Sequence, residues 1–159
     1  MRKVVVNTTP LLALSEIGKL SLLKELYGEI CIPEAVYEEI KTEPACTEVR
    51  DASEWIHIVS VKDMSQKRMF QARLHAGEVE VLMYALESKA DLVILDDKLA
   101  RKTATYMGLT ITGTVGLLIK AKETGYLNEV KPVMENMIQN GLFVSPEVQK
   151  MVLEMVNEN

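Results

Sequence analysis

Oxygen-bearing side chains follow two short apolar runs of this sequence. Asn7 comes directly after a run of three valines, and Asp96 and Asp97 follow a second apolar run. Glu39 and Glu78 lie in segments of helical pattern elsewhere in the chain. Carboxylates that are held close together repel one another, and a hard divalent cation relieves that repulsion. The chemistry that such a set predicts is hydrolysis of a phosphodiester by water that bound Mg²⁺ or Mn²⁺ activates.

Helical periodicity selects among the glutamates of the first helical segment. At about 100° per residue, Val36 and Ile40 share one face of the helix, and Glu39 lies close beside it. Glu34 and Glu38 point nearly the opposite way. Glu39 is therefore the glutamate that we expect to face inward.

Periodicity leaves two other choices open. Glu78 and Glu80 flank the same apolar stripe of their helix at similar angles, so the pattern does not separate them. Asp96 and Asp97 alternate in direction along the chain. One of the two aspartates can face the site while the other caps the following helix, because Asp is favoured at that position.

Each candidate also has a purely structural interpretation. Asn7 and Thr9 can shape a turn before Pro10. Glu78 suits the first turn of a helix, where a negative charge stabilises the helix dipole. Glu39 can be a structural acid that pairs with a lysine. The functional interpretation is favoured because all these residues converge on one edge of the expected sheet.

Short strands alternate with helices along the chain, and this alternation predicts how the site is assembled. Strands are expected at Lys3–Val6, Glu29–Ile32, Trp55–Val61, Leu92–Leu95 and Leu109–Thr112. Helical patterns fill 11–14, 17–27, 33–41, 63–75, 78–88, 98–107, 114–123, 128–139 and 146–157. The alternation predicts an α/β fold of three layers, α/β/α, with a central parallel sheet of about five strands. Ligands of such sheets collect at the carboxyl ends of the strands.

Length and composition bound the class of protein. The 159 residues suit a single domain spanning 1–159, and 48% hydrophobic with 26% charged residues is a globular balance. The formal net charge of −5 excludes binding of nucleic acid by bulk attraction, but not through an acidic cluster that metal ions mask. Aromatic residues, at 5%, are too few for a base-stacking platform.

The sequence predicts a cytoplasmic protein without disulfides or zinc. No apolar run approaches the ~20 residues of a membrane helix, and the residues 7–10 interrupt the first run too early for a signal peptide. Cys31 and Cys46 form no CxxC motif. His57 and His75 lack the spacing of metal ligands, so no histidine metal site is expected.

Two basic stretches have two interpretations each. The denser one contains Lys62, Lys67, Arg68 and Arg73, and the other contains Lys98, Arg101 and Lys102. A solvated helix face is the simpler interpretation. The functional one is contact with the phosphates of RNA, for which Lys67, Arg68, Lys98 and Arg101 are the candidates.

Three stretches, in this order, resemble the PIN-domain family, and within it the VapC-like toxins of bacterial and archaeal toxin–antitoxin pairs. They are VVVNTTPLLALSEIGKLSLLKELYGEICIPEAVYEEI, GEVEVLMYALESKADLVILDDKLARKTATYMGL and TGTVGLLIKAKETG. Together they cover most of the chain, which is similar to a poorly characterised branch of that group. The resemblance implies a PIN-like fold and a ribonuclease that depends on Mg²⁺ or Mn²⁺.

The resemblance also implies where the acidic residues of the family fall. The first position is occupied by Asn7 instead of an acid, the second by Glu39 and the third by Glu78. The fourth is Asp96 in an ungapped alignment, or Asp97 if the following Lys-Leu-Ala is aligned. Both alternatives stay open.

Asn7 departs from the acid that most PIN nucleases carry at the end of the first strand. An amide oxygen ligates a cation but brings no charge, so weaker metal binding is expected. Thr8 and Thr9 stand where the family carries Ser or Thr, and Thr9 can support the site by a hydrogen bond. The resemblance further implies a homodimer and a cognate antitoxin whose arginine-bearing segment occupies the acidic pocket.

Two alternative functions remain open. A degenerate PIN module, which lost catalysis through Asn7, would bind nucleic acid or protein. A receiver-like signalling domain also holds Mg²⁺ at aspartates after strands, but here no acid ends the first strand. Nucleotide-cofactor folds are disfavoured, because the residues 113–116 do not form GxGxxG and no Walker loop is present.

Overall fold

A computed structural model describes residues 2–65, 67 and 73–158. The strands of these residues are β1 (Val4–Val6), β2 (Ile30–Pro33), β3 (Ile56–Val59), β4 (Leu92–Ile94) and β5 (Ile111–Thr112). The helices are α1 (Thr8–Glu16), α2 (Ser21–Tyr27), α3 (Glu34–Ile40), α4 (Ala45–Asp51), α5 (Ala76–Ser88), α6 (Lys98–Tyr106), α7 (Thr114–Glu123), α8 (Lys131–Gln139) and α9 (Pro146–Met155). None of these helices has the length and apolar character needed to cross a membrane.

The five strands form one parallel sheet in the order β3-β2-β1-β4-β5. Val6 lies opposite Ile94 in the register, and the backbone N–H of Asn7 donates to the Ile94 carbonyl at 2.9 Å. After β1, the chain adds β2 and β3 on one side of β1 and then β4 and β5 on its other side. Ligands of open α/β sheets bind where the strand order reverses in this way. That point lies between β1 and β4, where Asn7 and the two aspartates leave the sheet.

Helices cover both faces of the sheet. Successive residues of a strand point to opposite faces, and Val5 and Val6 are both fully buried, as are Ile94 and Leu95. Burying each of these aliphatic side chains contributes about 1.5–3 kcal/mol to the free energy of unfolding. This burial holds the strand ends that carry the site in place. The predicted α/β class, with a central parallel sheet of five strands, is confirmed.

Several boundaries differ from the sequence pattern, and part of the predicted helix over 63–75 lies outside the described residues. The first helix begins at Thr8 instead of Leu11, because proline fits the first turn of a helix and Pro10 therefore does not delay its start. The third strand ends at Val59, two residues earlier than predicted, and the chain beyond it bonds the side chain of Glu87 instead of a strand.

Glu158 fastens the end of the chain to α7 and α8. Its carboxylate accepts hydrogen bonds from the Lys122 ammonium at 2.8 Å, the Val130 N–H at 2.8 Å and the Lys131 N–H at 2.7 Å. The Lys122 ammonium also donates to the Val156 carbonyl at 2.7 Å. Burial acts to raise the pKa of Glu158, but these donors outweigh it, and the pKa lies below its ordinary value.

Replacing Glu158 with alanine is expected to lower the free energy of unfolding at pH 7 by about 1 kcal/mol, because three donors lose a charged acceptor near the surface. Because the pKa of Glu158 is lowered on folding, this contribution is complete above the ordinary value of 4.5. It is lost as the pH falls through the lower pKa of the folded state. Thermal melts at pH 7 and near pH 3 measure the difference, and an equal loss at both values would contradict the assignment.

Candidate active site

Asn7 stands at the carboxyl end of β1 with an unpartnered side-chain oxygen. It is the N-cap residue of α1, where asparagine usually caps the helix, yet its side chain makes no cap hydrogen bond. The residue is 4% exposed, and Oδ1 is buried without a hydrogen-bond partner in the described part of the chain. Leaving a buried acceptor unpaired costs about 1–3 kcal/mol. Asn7 Oδ1 therefore does not serve to cap α1.

Two donors fix the carboxylate of Glu39 at the same edge of the sheet. The Thr8 hydroxyl donates to Oε2, and the backbone N–H of Gly77 donates to Oε1 at 3.0 Å. A Cβ at position 77 would lie 2.6, 2.7 and 2.8 Å from three atoms of the Glu39 carboxyl group. Gly77 is thus a positioning residue that the sequence analysis did not identify, because a glycine before a helix is equally typical of a loop. Thr9 is exposed in the first turn of α1.

Glu78 is the buried acid of the site. It is 7% exposed, and its Oε1 accepts a hydrogen bond from the His75 N–H at 3.0 Å. Burial raises the pKa of Glu78, the His75 N–H opposes the rise, and the negative charges of Asp97 and Glu39 add to it. Asp97 and Glu39, which belong to other elements, therefore each repel the carboxylate of Glu78 across this edge.

Glu80 has a role different from that of Glu78. Its Oε1 accepts a hydrogen bond from the Ala35 N–H at 3.0 Å, at the beginning of α3. This contact separates two glutamates that helical periodicity could not distinguish. Glu34 and Glu38 bond other partners at the surface, whereas Glu39 of the same helix faces Thr8 and Gly77.

The two aspartates after β4 have separate partners. Asp97 accepts a hydrogen bond from the Ala100 N–H at 2.9 Å and so caps α6. Asp96 accepts from the backbone N–H of Thr114 at 2.8 Å and from its hydroxyl at 2.5 Å. Thr114 is fully buried and was not singled out in the sequence, because only the tertiary structure brings it to Asp96. Asp96 therefore ties the start of α7 to the end of β4.

The side chains of this site offer oxygen ligands, which are the ligands that Mg²⁺ and Mn²⁺ prefer. Among residues 2–65, 67 and 73–158, no three acidic, histidine or cysteine side chains stand close enough to share one metal ion. Mg²⁺, however, is usually held by one or two carboxylates and keeps water or phosphate as its other ligands. The unpaired Oδ1 of Asn7 with the carboxylates of Glu78 and Asp97 is an all-oxygen set of that kind.

Replacing Asn7 with aspartate is expected to tighten Mn²⁺ binding about tenfold, because the ligand charge at the site increases. Without metal the variant is expected to melt at a lower temperature, since a buried carboxylate then faces other acids. Calorimetric titration with Mn²⁺ and thermal melting with and without Mn²⁺ measure the two effects. The control is Asn128→Asp, which adds the same charge at an exposed position. Equal Mn²⁺ affinity of wild type and Asn7→Asp would place Asn7 outside the metal site.

The basic candidates for RNA contact lie in separate places. Lys67 is exposed, and Arg68 lies outside the described residues. Lys98 is exposed at the start of α6. Arg101 is half-buried, and its Nη1 donates to the Leu95 carbonyl at 3.3 Å. Lys98 and Arg101 belong to α6, the helix that Asp97 caps.

Comparison with known families agrees with the α/β fold of the chain. A family model described as a PIN domain matches residues 3–158, which is almost the whole chain and includes every candidate site residue. No curated protein sequence matches the chain. Because the family model covers far more than half of the sequence, the chain belongs to the PIN-domain family.

Proposed function

We propose that the protein is an endoribonuclease that depends on Mg²⁺ or Mn²⁺ and is the toxin component of a type II toxin–antitoxin pair. The observation that carries the proposal is the unpaired, buried Oδ1 of Asn7, which lies at the strand-order reversal. The charges of Asp97 and Glu39 act on the buried Glu78 at the same edge of the sheet. Membership of the PIN-domain family supports a nuclease rather than a signalling domain. Hydrolysis of a phosphodiester is the chemistry that oxygen-bound divalent cations perform in such sites.

The contacts of each side chain suggest its role. Asn7, Glu78 and Asp97 would hold the cation, which when bound supplies a Lewis acid for the phosphate and lowers the pKa of water. Glu39 is exposed and held in place by Thr8 and Gly77, so its carboxylate would be available to accept a proton from water.

Asp96 has a positioning role in this proposal. Both of its carboxylate oxygens accept hydrogen bonds from Thr114, whereas the charge of Asp97 acts directly on Glu78. We therefore assign the fourth acidic position of the family to Asp97. Asp96 would keep the start of α7 beside the site.

Incubation of the purified protein with end-labelled RNA tests the proposal. Cleavage is expected in Mn²⁺ or Mg²⁺ and not in EDTA. Attack by water with the 3′-oxygen as leaving group places a 5′-phosphate on one product and a 3′-hydroxyl on the other. Cleavage that persists in EDTA, or products with 2′,3′-cyclic phosphates, would contradict the mechanism, because the 2′-hydroxyl would then be the nucleophile.

A second function is favoured by the missing charge at position 7. A PIN module that binds RNA or protein with little catalysis would tolerate an amide there, because binding does not require a strongly held cation. The same incubation separates the two functions. RNA that is bound but stays intact at Mn²⁺ concentrations that saturate the site would favour the binding module.

An acidic groove beside the site supports the antitoxin part of the proposal. Its volume is about 670 Å³, and Tyr37 and Ile58 add apolar surface to it. Its acidic lining residues are Glu34, Glu38, Glu39 and Glu80. An arginine-bearing segment of a partner would pair with these carboxylates. The expected partner is a small protein, and its addition to the purified protein is expected to inhibit cleavage. We also expect a homodimer, and sedimentation equilibrium measures the mass that tests this.

A further inference from the structure

Two grooves flank the candidate site, and they differ in charge. The acidic groove shares Glu39 with the site. The second groove, here named the α7–α9 groove, shares Asp96 with the site and has a volume of about 660 Å³. Its charged lining consists of Asp96, Lys98 and Arg101, and apolar residues of α7, α9 and the segment before α9 supply most of the rest. The candidate site therefore lies between a negative groove and a groove with an excess of positive charge.

We propose that the α7–α9 groove binds a single-stranded segment of RNA beside the bond that is cut. One base stacks on Phe143, and the backbone phosphates contact Lys98 and Arg101. This inference rests on the proposed ribonuclease function and names the surface that holds the substrate.

Charge decides which groove the RNA follows. With a formal net charge of −5, most of the protein surface repels a polyanion. Arg101 uses Nη1 for the Leu95 carbonyl, and a guanidinium has five N–H donors, so donors remain for a phosphate. Lys98 is exposed, and Asp96 is already hydrogen-bonded to Thr114. The acidic groove offers four carboxylates and no cation among its described lining residues, so a strand of RNA is directed away from it.

Phe143 supplies the contact for a base. Its side chain lines the α7–α9 groove and is 87% exposed, an unusual state for a large apolar ring. Stacking of a nucleobase on an aromatic ring stabilises the complex whatever the sequence, because every base has a flat face that can stack. Val148, Met151 and Met155 of α9 are also exposed and line the same groove, where they offer further apolar surface to the base.

The combination of one exposed ring and two cations suits unpaired nucleotides. Side chains stack on bases of RNA only where those bases are splayed out of a helix, whereas duplex RNA is bound through its phosphates and 2′-hydroxyls. The volume of about 660 Å³ lies in the range of pockets that enclose small ligands. It suits one or two nucleotides rather than the width of a double helix.

Fluorescence anisotropy with a short labelled RNA in Ca²⁺ tests the inference, because a divalent cation still neutralises the acidic site, whereas Ca²⁺, with its looser coordination than Mg²⁺, is expected not to support cleavage during the measurement. Phe143→Leu keeps apolar bulk but removes the ring, and it is expected to raise the Kd for single-stranded RNA about tenfold. Phe143→Trp is expected to retain wild-type affinity. The matched control is Tyr106→Leu, which removes a 92% exposed ring outside the groove and is expected to leave the Kd unchanged. Binding of a duplex of the same sequence is expected to be weaker and insensitive to Phe143→Leu.

Several outcomes would overturn the inference. They are the absence of RNA binding by the wild type, an unchanged Kd in Phe143→Leu, and an equal loss in Tyr106→Leu. A further one is a dimer that dissociates in Phe143→Leu while RNA binding persists, since the face would then be a contact between copies of the chain. The proposed function is judged separately: a protein that binds RNA as described but never cleaves it contradicts the ribonuclease and leaves the groove assignment intact. Cleavage with binding that is independent of Phe143 contradicts the groove assignment alone.

Discussion

Glu78→Gln is expected to reduce metal-dependent cleavage of RNA by about 1,000-fold without loss of the fold. Glu78 is the buried carboxylate of the site, and the charges of Asp97 and Glu39 act on it. Glutamine keeps the size of the side chain and can still accept the hydrogen bond from the His75 N–H. The variant therefore removes the negative charge alone, and rates of cleavage under single-turnover conditions measure its effect.

The stability of Glu78→Gln provides an independent readout. Burial and neighbouring carboxylates raise the pKa of Glu78 above its ordinary value of 4.5, so its ionised form costs free energy of folding at neutral pH. The variant is therefore expected to melt at the same temperature as the wild type or above it at pH 7. This difference should shrink as the pH falls below 4.5, where the wild-type carboxyl is protonated in both states.

Glu80→Gln is the matched control for this variant. It makes the same change two residues along the same helix, and its amide oxygen still accepts from the Ala35 N–H. Cleavage by Glu80→Gln is expected to stay within about twofold of the wild type, which is ordinary for a change outside a site. Equal losses of activity in the Glu78 and Glu80 variants would remove Glu78 from the catalytic group.

Gly77→Ala is expected to lower the cleavage rate about 100-fold, because misplacing a reacting group by about 1 Å has an effect of that order. The added Cβ would lie 2.6–2.8 Å from the carboxyl atoms of Glu39, which must move away. Glu39 is exposed and its carboxyl group ends a flexible side chain, so the protein accommodates the change. Position 77 lies in the first turn of α5, where alanine is favoured over glycine by up to about 1 kcal/mol. Thermal melting should therefore show no loss of stability.

A double-mutant cycle shows whether Gly77 acts through Glu39. Glu39→Gln alone is expected to reduce cleavage, since it removes the charge that Gly77 helps to orient. Adding Gly77→Ala to Glu39→Gln should then have little further effect, because both changes act on one carboxylate. A further 100-fold loss in the double variant would show that Gly77 contributes through a different contact.

The sheet was predictable from sequence because its strands are short apolar runs that both faces of the sheet bury. Val4, Val5 and Val6 form such a run, and all three are buried in β1. The start of α1 was harder to place, since Pro10 resembles a helix boundary but fits a first turn. Helical periodicity predicted that Glu39 faces inward beside the apolar positions of α3. The residue is exposed instead, although its carboxylate contacts Thr8 and Gly77.

The rest of the site depends on contacts between segments that are distant in sequence. Glu78 and Glu80 differ in their partners, because the Ala35 N–H bonds Glu80 whereas Glu78 is buried and bonds the His75 N–H. Gly77 matters through the approach of Glu39, which no local pattern encodes. The low content of aromatic residues argued against a platform of several stacked rings. Composition does not show where a single aromatic residue lies, so it could not predict the exposed ring of Phe143.

Anomalous scattering from a crystal soaked in Mn²⁺ locates the cation without reference to activity. We expect a peak within about 2.5 Å of Asn7 Oδ1 and of a carboxylate oxygen of Glu78 or Asp97. A peak found only away from these atoms, or no peak at a Mn²⁺ concentration that supports cleavage, would contradict this expectation.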